Sequence, residues 1–78
     1  QANYTDQARR AKVTGKIVIA VLFAANGKVT QTIIIKPLGY GLDEEAVRAA
    51  KGIKFEPLVK NGKPVSVVKI VEYGFSIG

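Results

Sequence analysis

The spacing of apolar and polar residues changes along this chain, and each change marks a predicted element. From Tyr4 to Lys12 the pattern is helical and short. Thr5 suits an N-cap, Asp6 the positive end of the helix dipole, and Arg9, Arg10 and Lys12 the negative end. Ala8, Ala11 and Val13 offer it a small apolar stripe. From Lys16 to Ala24 the run Ile17-Val18-Ile19-Ala20-Val21-Leu22-Phe23 is apolar on both faces and largely β-branched, which predicts a central strand. Ala25-Asn26-Gly27-Lys28 then predicts a tight type I′ hairpin turn, with positive φ at both central residues. Val29 to Lys36 is the returning strand, with Val29, Gln31, Ile33 and Ile35 on one face and Thr30, Thr32, Ile34 and Lys36 on the other.

Pro37-Leu38-Gly39-Tyr40-Gly41 stops that strand. Leu42 to Lys51 has acidic residues in its first turn, a basic one in its last and Gly52 at the C′ position, so a second helix is predicted. Leu42, Ala46, Val47 and Ala50 form its apolar stripe, with Ile53 beyond. Ile53 to Pro57 reads as short and extended, and Asn61-Gly62 as a second turn. Val65 to Ile77 is the final strand. Its odd positions make the core-facing side, interrupted by Lys69. Either a bulge shifts the register there, or Lys69 snorkels at the sheet margin. The order helix, strand, strand, helix, strand predicts an α+β fold: a three-stranded antiparallel sheet with both helices on one face.

The chain has 78 residues, enough for one domain spanning 1–78. Apolar residues make up 47 % of it, which excludes a disordered segment. There is no cysteine to form a disulfide. The net charge of +6 comes from 12 Lys and Arg against 6 Asp and Glu, dispersed without a basic run. The chain begins at Gln1 without a methionine, and no apolar run approaches the ~20 residues of a membrane helix. It is expected to be a piece of a longer protein that carries the anchor elsewhere.

No set of residues reads as catalytic. The chain lacks histidine, so neither Ser66 nor Thr30 has the usual activating base. Helix capping and the dipole account for Asp43-Glu44-Glu45, and no metal or cofactor is expected. Gly39-Tyr40-Gly41 lacks the remaining residues of a phosphate loop. The aromatics do not form the adjacent exposed set of a base-stacking sheet, so no nucleic-acid partner is expected. What remains is the last strand. If its outer edge is free, it offers unpaired N–H and C=O groups to a guest strand. The candidate docking residues are Val65, Ser66, Val67, Val68, Lys69, Ile70, Val71, Glu72 and Tyr73, with Gln1 and Tyr4 closing one side. A proline at Val67, Lys69 or Val71 is expected to abolish docking more readily than it unfolds the domain.

Taken in order, several segments resemble the C-terminal domain of the TonB family of energy transducers. They are Gln1-Ala2-Asn3-Tyr4-Thr5-Asp6-Gln7-Ala8-Arg9, Val13-Thr14-Gly15-Lys16-Ile17-Val18, Asn26-Gly27-Lys28-Val29, Leu42 to Ala50, Lys54-Phe55-Glu56-Pro57 and Asn61-Gly62-Lys63-Pro64-Val65. Ala2 and Thr5 depart from it, standing where the family usually has proline, and Lys69 stands where an apolar residue is more usual. The resemblance implies a non-enzymatic periplasmic domain of a Gram-negative bacterium. It implies an inner-membrane anchor and a spacer upstream, driven by a proton-motive-force motor of the ExbB/ExbD type. The implied partners are TonB-dependent outer-membrane receptors, whose TonB box adds as a strand to the last strand of the domain and so couples the motor to uptake. Two rival readings stand beside it. One is a self-associating module, such as a homodimer, that uses the same edge. The other is a small basic nucleic-acid-binding domain.

Overall fold

A computed structural model describes residues 3–76. The elements are α1 (Asp6–Ala11), β1 (Gly15–Phe23), β2 (Val29–Lys36), α2 (Leu42–Lys51), β3 (Leu58–Lys60), β4 (Lys63–Val65) and β5 (Val67–Phe75). The main sheet is antiparallel in the order β2-β1-β5, and β3 and β4 form a separate two-stranded hairpin. The expected three-stranded sheet with two helices is therefore present. The small hairpin is an addition to it, made of residues read as a plain turn and as the start of the last strand.

The core lies on one face of the sheet. Ile17, Ile19 and Val21 alternate inward from β1 and are fully buried. They meet Ala8 of α1, Leu42, Ala46 and Ala50 of α2, and Phe75 of β5. The α2 contacts recur at every fourth residue, so they fall on one stripe. Burying each of the large aliphatic side chains contributes about 1.5–3 kcal/mol. Ala11, expected in the α1 stripe, is exposed, because six residues give α1 less than two turns and Ala8 takes the inward position. Among the described residues, no helix lies over the opposite face of the sheet. Ile33, Val68 and Ile70 are each more than half exposed there.

Side-chain bonds to the backbone hold the short helix and the loops. Tyr4 Oη donates to the Val13 carbonyl at 2.6 Å and lies 3.2 Å from that of Ala8. Its ring packs on Phe75 at a centroid distance of 6.2 Å. Thr5 caps α1, its Oγ1 accepting from the Ala8 N–H at 3.1 Å and donating to the Tyr40 carbonyl at 2.6 Å. Asp43 holds the loop before α2, accepting from the Leu38 and Gly39 N–H groups at 2.9 and 3.0 Å. That bonding adds a loop-bracing role to the dipole role expected of this carboxylate.

The two Asn-Gly turns differ. Before β2, Gly27 has φ +84°, but Asn26 is not left-handed. The Gly27 N–H bonds to the Ala24 carbonyl, and Asn26 Oδ1 accepts from the Lys28 N–H. The expected type I′ turn is thus replaced by a three-residue loop with a left-handed glycine. The I′ geometry occurs instead at Asn61 and Gly62, at φ +51° and +77°, between the paired Lys60 and Lys63.

Gly15 opens β1 at φ +155°, and a Cβ built there would stand 2.9 Å from Leu38 Cδ2. Gly15→Ala is expected to cost about 1–3 kcal/mol, read as a lower urea midpoint with unchanged slope. Tyr4→Phe keeps the ring on Phe75 and removes the hydroxyl. It is expected to cost about 0.5–1.5 kcal/mol by the same measurement.

Candidate functional site

β5 pairs with β1 over all nine of its residues in one unbroken register, from Phe75 opposite Gly15 to Val67 opposite Phe23. No bulge occurs at Lys69. Lys69 therefore stays on the inward side with Val67, Val71, Tyr73 and Phe75. It is exposed, near the Phe23 end of the sheet. Among the described residues, no strand is bonded to the other flank of β5.

The hydrogen-bonding direction of β5 follows from the hairpin. The Ala24 N–H bonds across to Lys28, on the β2 side, while the Ala25 N–H points the other way and bonds Ser66 Oγ at 3.0 Å. Backbone polar groups alternate sides along a strand. In β1 the odd residues from Gly15 to Phe23 thus face β5. Their partners Val67, Lys69, Val71, Tyr73 and Phe75 turn N–H and C=O toward β1. Val68, Ile70, Glu72 and Gly74 present theirs to the open flank. The expectation that proline at Val67, Lys69 or Val71 abolishes docking more readily than it unfolds the domain fails on this geometry, since those N–H groups belong to the internal ladder.

The other outer strand, β2, has a different edge. Its register with β1 shifts twice, leaving Ile35 and Thr30 as extra residues. The bulges carry Ile34, Thr32 and Val29 to the inner side, and the simple alternation expected for this strand does not hold. Bulges twist and interrupt an edge, which disfavours pairing with a further strand. β5 has no such interruption.

The remaining candidate residues fall around β5. Val65 belongs to β4, opposite Leu58, and Ser66 is the link between the strands, its hydroxyl engaged with Ala25. The last strand thus begins at Val67, and Ser66 breaks it from Val65, so neither starts it as expected. Glu72 lies 3.6 Å from Lys16 on the helix-free face. Tyr73 is half-buried, and that burial pushes its phenol above the ordinary value. Tyr4 stands at the Phe75 end of β5 with its hydroxyl engaged. Gln1 lies outside the described residues.

At the opposite end is a cavity of about 310 Å³, lined by Phe23, Ile53, Phe55, Leu58, Val67 and Lys69, with Glu56 at its wall. Phe23 and Phe55 meet edge to face at 4.8 Å. Five of these residues, Phe23, Ile53, Phe55, Glu56 and Leu58, were not among the candidate docking residues. The available signal was the cluster of apolar residues on both sides of the Pro57 break.

Among the described residues, no group of acidic side chains is placed to hold a metal ion, and no helix is long and apolar enough to cross a membrane. No curated protein matches the chain. The family model for the C-terminal domain of Gram-negative bacterial TonB proteins matches residues 1–77. The match covers the helices, the three long strands and the open β5 flank together, and the chain belongs to this TonB C-terminal family.

Proposed function

We propose that this chain is the receptor-binding module of a TonB-like energy transducer, a non-enzymatic periplasmic domain of a longer protein anchored in the inner membrane. It docks the TonB box of outer-membrane transporters by strand addition to β5. The upstream region, moved by an ExbB/ExbD-type motor, then couples the proton motive force to uptake. The observation that carries this reading is the contrast between the two sheet edges: β5 is regular throughout and β2 is bulged twice. Family membership supports it independently.

A guest strand would bond to the N–H and C=O groups of Val68, Ile70, Glu72 and Gly74, while side chains from Val67 to Tyr73 border it. Each bond contributes about 0.5–1.5 kcal/mol net, and ordering the guest offsets much of the sum. The resulting modest affinity suits a link that forms and releases. Tyr4 completes the proposed site at the Phe75 end.

The same flank fits a second copy of the chain, because an open edge backed by exposed Val68 and Ile70 also favours self-pairing. Sedimentation over a range of concentrations separates the readings, since a monomer throughout removes self-pairing.

Titration of the labelled domain with a TonB-box peptide is expected to shift the amides of Val68, Ile70, Glu72 and Gly74 most. Shifts confined to α1 and α2 would refute strand addition. Ile70→Pro removes an N–H that faces the open flank. This variant is expected to unfold cooperatively, as the parent does, and to bind the peptide at least tenfold more weakly. Val71→Pro removes a ladder bond to β1 and is expected to lose the folded state, read by circular dichroism.

A further inference from the structure

Backbone pairing along β5 does not by itself fix where a guest strand sits. The hydrogen bonds are the same for any sequence, and a slide of two residues restores them all. Something beside the edge must set the register. The cavity at the β3 end of β5 is placed to do so. Two of its walls, Val67 and Lys69, are inward-facing residues of β5 itself. A strand paired to the open flank sends alternate side chains to that same inward side.

We propose that this cavity takes one large apolar side chain, leucine-sized or aromatic, from the docked strand, and thereby sets its register and selects its sequence. The inference rests on the docking reading above. At about 310 Å³ the space is at the bottom of the range for small-molecule pockets, which fits a side chain better than a free ligand. Phe23, Ile53, Phe55, Leu58 and Val67 give it apolar walls. Lys69 also lines it and is exposed, as a side chain with an apolar stem and a charged head can be. Neither Lys69 nor Glu56 is ion-paired within the described residues, so an apolar occupant leaves both hydrated at the mouth and separates no buried pair. Leu58 is half exposed, sits on the β3 hairpin and lies outside the core cluster, so it closes the wall without supporting the core.

The test uses blocked peptides of threonine and serine, matched to the nine residues of β5, with one leucine moved through successive positions. Binding to the labelled domain is followed by amide and side-chain shifts. The expected result is a gain of about tenfold with leucine at one position, little gain at its neighbours, and shifts at Phe23, Phe55 and Leu58. Leu58→Ser is expected to remove that gain and leave binding of the leucine-free peptide unchanged. Peptides that bind at the β5 amides with equal affinity wherever the leucine stands would overturn the pocket while strand addition survives. If no peptide perturbs the β5 amides, both readings fall. Concentration-dependent shifts at Phe23 and Phe55 without peptide would assign the cavity to a second copy and overturn the proposal.

Discussion

One strand, β1, makes every long-range backbone ladder in the main sheet. It is bonded on both flanks, apolar on both faces and fully buried at Ile17, Ile19 and Val21. A short chain with three long strands cannot close a barrel, so two edges must remain once β1 has its neighbours. The fold treats those edges differently. The β2 edge is broken by bulges, while β5 keeps its polar groups in a straight row. The docking reading depends on that asymmetry, and the asymmetry depends on β1 staying regular between two unlike partners.

Much of this was legible in the residues. The bounds of β2 and α2 fall where the Asn-Gly turn, the proline, the acidic first turn and Gly52 put them. The Thr5 cap and the inward stripe of Leu42, Ala46 and Ala50 follow from local rules with no competing term. The β2 bulges were not legible, because Ile33-Ile34-Ile35 is apolar throughout and carries no phase. A slip there leaves no mark in the pattern. The choice between the two turn types was hidden for a related reason. Asn-Gly suits either geometry, and the pairing of Phe23 with Val29 decides it.

The candidate site was legible as a strand and illegible as an edge. Hydrophobic alternation reports which face a side chain takes, but not which flank its amide takes. The second fact comes from Ala24 and Ala25, two neighbours whose N–H groups find partners on opposite sides. Likewise the cavity joins residues from β1, the segment after α2, β3 and β5, brought together only by the return of the chain. The separate hairpin had a usable cue: Asn61-Gly62 flanked by Lys60 and Lys63 is a two-residue loop, which needs a strand on each side.

The Tyr4 contact with Phe75 has a mechanical side. Tension applied to the chain ahead of Tyr4 would reach the far end of β5 through that aromatic pair and through the hydroxyl bond to Val13. A pull parallel to β5 would load its nine-residue ladder with β1 in shear. Bonds loaded in that direction share the strain as a set, instead of opening one after another like a peeled strip.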